Sequence, residues 1–380
     1  SQTTTLGASC VCMLALSCLT PAFTPSRQPW ALPPSTRACR IRAAADDGVG
    51  GSLAVLGGSL ARVADNTDAV GWQRVGPGWL RLGPATPWAT VHFVGGAALG
   101  IAPQLAYDTL LSRLASSADV AVIATPYELG LDHRKLARRV ASDFDVALEE
   151  SRAQGLAPPA GAPVFRVGHS LGAKLLALLA CEAGAGEGGA PQADPLALLN
   201  FNNFRVADSV ELASKLVGEM QGGGAAPYGG AVRDAFAFVQ QLGVAQGVAV
   251  EVSPTPDELA AALAGYAPAA TAVFTFDGDS LDCSAELLAA LPPTAGVRRF
   301  ERAGSHTAPV SLRLAVSDIN PQLAALLGGG SRTVSIGDAE AAEQLAEALA
   351  EWLWPAGVAR PAGATMLPPA VGAAEGSSEP

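Results

Sequence analysis

From Thr90 onwards, short runs of consecutive apolar residues alternate with longer stretches in which apolar positions recur every three or four residues. The short runs have the length of buried β-strands, and the longer stretches have the period of amphipathic α-helices. This alternation predicts right-handed crossovers and an α/β fold, with a mostly parallel sheet covered by helices on both faces. The predicted strands are Val91–Val94, Val120–Ala124, Val164–Val167, Leu196–Phe201, Thr271–Phe276 and Val297–Phe300, and the helices between them include Pro103–Leu114, Asp132–Arg152 and Leu171–Cys181.

Two regions depart from the alternation. Trp72–Val75 and Trp79–Leu82, separated by Gly76-Pro77-Gly78, are expected to form a hairpin at an edge of the sheet. Residues 204–270 contain helical stretches and glycine-rich breaks without a clear strand, which predicts a helical cap inserted over the sheet. The expected organisation is a leader (1–45), a core in two parts (46–203 and 271–355) on either side of the cap, a closing helix over Asp338–Trp354 and a disordered tail (356–380).

The first 45 residues differ in composition from the rest of the chain. Leu6–Leu19 is an apolar run of the length of a signal-peptide core, and it ends at Thr20-Pro21-Ala22-Phe23. An acid-free stretch with four arginines follows. Together these features resemble the bipartite leaders of algae with complex plastids, which predicts residence in a plastid (chloroplast). The alternative is an ordinary secretory signal followed by a disordered linker.

Charge and cysteine content narrow the function further. The net charge is −11, and it becomes −15 when the acid-free leader is removed. So acidic a body argues against nucleic acid and against anionic membrane surfaces as partners, and no transmembrane segment is predicted in the mature chain. Only Cys181 and Cys283 remain in the body, and two separate buried thiols are favoured over a single bridge. Histidine and carboxylate spacing predicts no metal site, and no phosphate or dinucleotide motif predicts a cofactor.

One sequence motif indicates a nucleophilic serine. Gly168-His169-Ser170-Leu171-Gly172 matches the G-x-S-x-G nucleophile elbow. It follows a predicted strand and opens a predicted helix, which is the setting an elbow needs in order to expose a serine hydroxyl on a strained turn. Ser170 is therefore the candidate nucleophile.

An activated serine needs a base and an acid that orients the base. His306, after the last predicted strand, is the candidate base, and Asp279, after Thr271–Phe276, is the candidate acid. Asp277 and Asp282 remain open as alternatives to Asp279 and are otherwise expected to cap the turn and the next helix. His169 is interpreted as a packing residue of the elbow, His133 as a surface position and His92 as a hydrogen-bonded core residue.

The oxyanion hole requires backbone N–H groups near the nucleophile. One is expected from Leu171, the residue after the serine, and the other from the loop after the first long strand, at Gly96 or Ala97. The glycines of this loop are equally compatible with an ordinary strand-to-helix turn.

Several ordered motifs between Trp72 and Val310 resemble one family. They are His92-Phe93-Val94-Gly95-Gly96, Ala102-Pro103-Gln104-Leu105, Ala124-Thr125-Pro126-Tyr127, Asp132-His133, Val167–Gly172, Phe201-Asn202-Asn203-Phe204 and Phe276–Asp282. The family is a plastid and cyanobacterial branch of the α/β hydrolases, catalogued as domain of unknown function 1350. The resemblance implies an α/β-hydrolase fold and plastid residence, and no known substrate.

Two functions are compatible with these residues. In the first, the protein is a serine hydrolase or acyltransferase that acts on a small-molecule ester or thioester through Ser170, His306 and Asp279. In the second, it is a catalytically idle scaffold that binds a ligand or a plastid protein. The apolar residues of the insertion favour a lipid-like substrate in the first case. They include Val206, Leu212, Leu216, Phe236, Phe238 and Val239, with Tyr228 and Tyr266 as possible hydroxyl donors. The oligomeric state stays open.

Overall fold

The computed structural model describes residues 69–184, 194–205, 251–268, 270–315 and 333–354. The predicted leader, the predicted tail from residue 356 and residues 206–250 of the predicted cap lie outside these ranges.

A mostly parallel sheet of eight strands forms the centre of the described chain. The strands are β1 (Trp72–Val75), β2 (Gly78–Leu82), β3 (Thr90–Val94), β4 (Ala121–Ala124), β5 (Val164–His169), β6 (Leu196–Leu199), β7 (Thr271–Phe276) and β8 (Val297–Arg302). Their order in the sheet is β1-β2-β4-β3-β5-β6-β7-β8. β2 runs antiparallel to β1 and β4, and all six strands from β3 to β8 are parallel to one another. This strand order, with the one antiparallel strand β2 inside an otherwise parallel sheet, is that of the α/β-hydrolase fold, so the predicted fold class is confirmed.

The helices follow the strands in the expected alternation. Polar side chains fix the first turns of two of them. Asp132 accepts from the Lys135 N–H at the start of the helix His133–Ala153, and Thr255 and Glu258 form a capping box at the start of the helix Pro256–Ala262. The helices are α1 (Pro103–Ala106), α2 (Asp108–Ala118), α3 (His133–Ala153), α4 (Leu171–Gly184), α5 (Pro256–Ala262), α6 (Ser284–Ala290) and α7 (Ala339–Leu353).

Alternate residues of the central strands enter two different apolar clusters. In β3, Val91 and Phe93 pack with helices α2 and α7, whereas Val94 packs with α3 and α4. In β7, Phe274 joins the first cluster and Val273 the second. Because successive side chains of a strand point to opposite faces, both faces of the sheet are buried under helices. Burial of both faces explains why the central strands read as unbroken apolar runs.

The structure differs from the sequence prediction in two places. The predicted helix Pro103–Leu114 is divided at Tyr107 into α1 and α2. Val297–Phe300 is also not the last strand, because β9 (Ser311–Ala315) and β10 (Thr333–Gly337) form a separate antiparallel pair.

Two further expectations can be compared with the described residues. Cys181 and Cys283 are both free thiols, the first buried and the second partly exposed. Within the described ranges, no helix combines the length and the apolar character needed to span a bilayer.

Candidate active site

The nucleophile-elbow candidate lies where β5 ends. Ser170 stands between β5 and helix α4, and its φ of 55° falls in the left-handed region that residues with a side chain rarely adopt. The glycines on either side make this turn possible. A Cβ at Gly168 would lie 2.7 Å from the backbone of helix α4, and a Cβ at Gly172 would collide with the carbonyl group of Val94. The motif therefore folds as the strained strand–turn–helix that an elbow requires.

His306 follows β8 and contacts Ser170. Its Nε2 lies 2.9 Å from Ser170 Oγ, and its Nδ1 lies 2.8 Å from Asp279 Oδ2. The side chains of His306 and Asp279 are 3% and 0% exposed, so the contact is shielded from water. Because an ionised carboxylate can only accept, Nδ1 carries the proton and Nε2 is left to accept the proton of the serine. The structure thus brings together the three side chains that the sequence singles out.

Asp279 is the carboxylate that contacts the imidazole, among the three that the sequence leaves open. Burial alone would raise the pKa of Asp279, but hydrogen bonds from His306, Asn200 and the Leu281 N–H, together with the charge of His306, lower it below its ordinary value. The carboxylate is therefore held in its ionised form, which is the form that orients and stabilises an imidazolium.

The other two aspartates have structural contacts instead. Asp277 Oδ1 accepts from the Gly304 N–H at 3.1 Å, which links the loop after β7 to the loop that carries His306. Asp282 Oδ1 accepts from both the N–H and the hydroxyl of Ser284 at the start of α6. These contacts match the capping roles that the sequence allows for them.

The expected oxyanion hole needs one correction. The Gly96 N–H donates to the Tyr107 hydroxyl at 2.8 Å, so it is not an available donor for a substrate oxygen. Gly96 nevertheless lies beside the nucleophile, since a Cβ on it would be 3.2 Å from Ser170 Cβ. Within the described residues, the N–H groups of Ala97 and Leu171 donate no hydrogen bond. Ala97 and Leu171 are therefore the two of the three expected donors that remain available.

The remaining histidines are all buried. His92 fits the core interpretation, because Nε2 lies 2.5 Å from Thr125 Oγ1 and Nδ1 lies 3.2 Å from Arg166. The interpretation of His133 as a surface position is wrong. His133 is only 7% exposed, because the start of α3 packs against the segment at Ser253. His169 is buried in the elbow and hydrogen-bonded at both ring nitrogens.

Tyr266, proposed from the sequence as a cap residue facing the site, lies elsewhere. Its hydroxyl is 3.1 Å from Thr271 Oγ1, at the first residue of β7. The serine and its partners lie at the carboxyl ends of the parallel strands. Tyr266 therefore lies at the other side of the sheet from the serine, where the amino end of β7 is. The other seven residues proposed for the lining, all between Val206 and Val239, lie outside the described ranges.

Three residues that the sequence analysis did not single out belong to the surroundings of the serine. Asn200 donates to Asp279 Oδ2 at 2.7 Å, and Tyr107 Oη lies 2.9 Å from His169 Nδ1. Lys174, one helical turn after the serine, is 1% exposed with its Nζ 3.4 Å from the Pro254 carbonyl. A buried lysine inside an apolar helix is visible in the sequence, but its partners come from distant segments that only the fold identifies.

A ligand set for a metal is not found among the described residues. The site itself presents a buried carboxylate, an imidazole and a hydroxyl in series. In that arrangement the imidazole can remove the hydroxyl proton, and the carboxylate stabilises the resulting positive charge.

Comparison with known proteins finds a family model that matches this chain and several similar solved structures. Among curated proteins, none matches this sequence. One similar solved structure is the enol-lactonase from Burkholderia xenovorans LB400, which has 14% identity and a TM-score of 0.39, with 74% of this chain and 99% of that chain covered. Another is an esterase from Pyrobaculum calidifontis, with 18% identity, a TM-score of 0.40 and coverage of 82% and 95%. A carboxyl esterase 2 from the mycorrhizal fungus Tuber melanosporum has 14% identity, a TM-score of 0.42 and coverage of 74% and 84%.

The family comparison covers most of the described chain. A family model described as "Protein of unknown function (DUF1350)" matches residues 71–353, which include every strand of the sheet and all the residues of the candidate site. The chain belongs to this family.

Proposed function

We propose that this protein is a serine hydrolase that cleaves an ester or thioester through a covalent acyl-enzyme on Ser170. The observation that carries the proposal is the unbroken series of hydrogen bonds from Asp279 through His306 to Ser170, with distances of 2.8 and 2.9 Å. Both distances are within the range of a hydrogen-bonded catalytic pair.

The first half of the reaction forms the acyl-enzyme. Ser170 Oγ attacks the carbonyl carbon of the substrate while His306 Nε2 takes the hydroxyl proton, and the carbonyl oxygen becomes an oxyanion. The N–H groups of Ala97 and Leu171 are assigned to that oxyanion. The bond to the leaving alcohol or thiol then breaks, and His306 returns the proton to the leaving group.

The second half regenerates the serine. His306 takes a proton from a water molecule, the hydroxide oxygen attacks the acyl carbon, and the acid product leaves as Oγ recovers its proton. An alcohol or thiol in place of water would give acyl transfer by the same steps. Asp279 keeps the imidazole oriented throughout and remains ionised.

The test is labelling with a fluorophosphonate, which reacts with an activated serine. Wild-type protein is expected to label at Ser170 and to hydrolyse p-nitrophenyl esters, whereas Ser170→Ala is expected to do neither. Ser112→Ala is the matched control, because the Ser112 hydroxyl donates to Asp108 within helix α2. A folded wild-type protein that neither labels nor hydrolyses any ester would favour the idle scaffold that binds a ligand or a plastid partner.

We further propose that the acyl group is lipid-like. Support comes from the sequence between residues 204 and 270, where apolar residues predominate between glycine-rich breaks. In a p-nitrophenyl ester series from acetate to palmitate, kcat/KM is expected to rise with chain length and to be lost in Ser170→Ala. Serine-dependent activity confined to acetate and butyrate would contradict this proposal without touching the hydrolase assignment.

The proposed location is a plastid, reached by the bipartite leader at residues 1–45. The support is the apolar run Leu6–Leu19 followed by an acid-free, arginine-containing stretch. Residues 1–45 fused to a fluorescent protein in an alga with a complex plastid are expected to direct it there. Secretion of the fusion would favour the ordinary signal peptide.

A further inference from the structure

We infer that Tyr107 and His169 are positioning residues. They hold two loops in place relative to Ser170: the loop at Gly96 and Ala97, which supplies an oxyanion donor, and the loop that carries His306. The inference rests on the proposed function and adds two residues to it. It starts from His169, which directly precedes the nucleophile and whose two ring nitrogens both have partners in other loops.

The carbonyl oxygen of His306 fixes the proton on His169. His169 Nε2 lies 3.0 Å from this carbonyl, which can only accept, so Nε2 carries the hydrogen. Burial, followed by the charge of His306, lowers the pKa of His169 to about 3, so the ring is neutral at physiological pH. A neutral ring with hydrogen on Nε2 has an acceptor at Nδ1.

Tyr107 completes a series of hydrogen bonds that runs from the Gly96 N–H through His169 to the His306 carbonyl. Its hydroxyl lies 2.9 Å from His169 Nδ1, and it must donate there because Nδ1 is an acceptor. The same oxygen accepts from the Gly96 N–H at 2.8 Å. Burial raises the pKa of Tyr107 well above its ordinary value, so the hydroxyl keeps its proton. Every donor and acceptor in the series from Gly96 to the His306 carbonyl is therefore determined.

The space around the two glycines gives independent support. A Cβ at Gly95 would lie 2.7 Å from the Tyr107 ring, and a Cβ at Gly96 would lie 3.1 Å from His169 Nδ1. The backbone of this loop thus packs directly on the tyrosine and the histidine. A side chain at Gly95 would therefore push the loop away from the tyrosine ring, and one at Gly96 would press on His169, Ser170 and Tyr107.

The series joins three loops that each supply a reacting group. Gly96 immediately precedes Ala97, an assigned oxyanion donor; His169 immediately precedes Ser170; and the acceptor at the other end is the backbone of His306 itself. These hydrogen bonds end at the backbone carbonyl of His306, and the His169 and His306 rings also pack with their centroids 5.2 Å apart. Tyr107 and His169 therefore act through the placement of neighbouring groups, and a displacement of about 1 Å at such a group can cost about 100-fold in rate.

The experiment compares Tyr107→Phe with Tyr266→Phe. Each variant removes one buried tyrosine hydroxyl, but the Tyr266 hydroxyl contacts Thr271 at the amino end of β7, away from the carboxyl ends of the strands where Ser170 lies. Tyr107→Phe is expected to lower kcat and the fluorophosphonate labelling rate about 10–100-fold, with KM within about twofold of wild type. Tyr266→Phe is expected to react like wild type, and the folded fraction of each variant is measured by thermal unfolding.

Variants of His169 supply the rescue test. His169→Gln keeps one donor and one acceptor at the end of the side chain, whereas His169→Leu keeps neither. His169→Gln is expected to react about tenfold faster than His169→Leu. The double variant Tyr107→Phe/His169→Leu is expected to be no slower than the slower single variant, because both changes break the same series.

The outcomes separate the two proposals. A wild-type protein that labels at Ser170, together with a folded Tyr107→Phe that labels equally fast, would overturn the positioning inference and leave the hydrolase standing. Equal losses in Tyr107→Phe and Tyr266→Phe would also overturn it, because the loss would then follow general destabilisation. Failure of wild-type protein to label would remove the proposed hydrolase and this inference with it.

Discussion

Asn200 Nδ2 lies 2.7 Å from Asp279 Oδ2, the same oxygen that contacts His306 Nδ1 at 2.8 Å. One carboxylate oxygen therefore accepts from two side chains, and Asp279 Oδ1 accepts from the Leu281 N–H at 2.7 Å. Asn200 follows β6 in the left-handed region (φ 48°), a conformation that asparagine tolerates better than most residues. The residue type at 200 is thus explained both by the backbone and by the carboxylate that it holds.

Substitution of Asp279 should slow acylation without unfolding the protein. Asp279→Asn keeps the size of the side chain but removes the charge that stabilises an imidazolium, and it allows the wrong tautomer of His306. We expect the rate of fluorophosphonate labelling to fall by about 10³–10⁴-fold, with cooperative thermal unfolding retained.

The neighbouring aspartates serve as controls for this variant. Asp277→Asn and Asp282→Asn should label within about tenfold of wild type, because an asparagine oxygen can still accept the hydrogen bonds from Gly304 and Ser284. A larger loss of labelling in either variant than in Asp279→Asn would show that Asp279 is not the carboxylate on which His306 depends.

Lys174 should make stability rise with pH in the alkaline range. Burial is the main cause that lowers the pKa of Lys174 from 10.5 to about 8, with the charges of Glu251 and Cys283 opposing it. Between pH 8 and 10.5 the unfolded chain holds a proton on this lysine that the folded chain has released, so a rise in pH favours the folded state. The gap between the two values corresponds to about 3 kcal/mol.

Urea unfolding of wild type and Lys174→Met at pH 7.5 and pH 10 measures this effect. The wild type should gain stability relative to Lys174→Met as the pH rises, whatever the other groups that titrate in this range contribute to both proteins. A constant difference between the two proteins would show that Lys174 titrates normally.

His133 should weaken the fold in acid. Burial, and then the charge of Lys174, lower the pKa of His133 from 6.5 to about 3, with Asp132 opposing them. As the pH falls through this window the unfolded chain takes up a proton that the folded chain does not, so stability is lost. Because no hydrogen-bond partner of His133 Nδ1 is found among the described residues, His133→Leu removes the titration without breaking a known hydrogen bond at that atom. Its unfolding free energy should fall less steeply than that of wild type from pH 6.5 to 4, and parallel curves would contradict the prediction.

Gly168 should not tolerate alanine. Its Cβ would lie 2.7 Å from the backbone of Ala173, which can move only if helix α4 shifts, and we expect Gly168→Ala to lose about 2 kcal/mol or more. Gly130→Ala is the matched control, since a Cβ there has nothing within 4 Å. Equal unfolding free energies for the two variants would mean that the elbow is less tightly packed than the distances indicate.

The features predicted well from the sequence are those that local pattern determines. The runs Val91–Val94 and Thr271–Phe276 lie in strands because a sheet buried on both faces leaves no polar alternation, and Asp132 marks the start of α3 because its side chain caps the helix. The elbow at Ser170 is equally local, since the glycines two residues before and after the serine are required by the turn itself.

The features that were missed depend on contacts between distant segments. The pair β9 and β10 forms between residues that are 18 or more positions apart, so no short hairpin turn in the sequence marks the pairing. His133 is buried because the segment at Ser253 packs against it. The Gly96 N–H is occupied because it donates to Tyr107, which lies at a break between α1 and α2 where the sequence predicts one continuous helix. Residue type alone does not reveal which of these groups meet.

The serine and its base are 136 residues apart in the sequence. A ribosome makes the chain from its amino terminus, so the elbow leaves the exit tunnel long before His306 has been translated. Under the proposed mechanism the nascent chain is chemically inert throughout that interval, and hydrolysis begins only after β7 and β8 have joined the sheet and delivered the acid and the base. Ester cleavage in a cell-free translation reaction would therefore report completion of the core, and a chain stopped before residue 306 would remain silent.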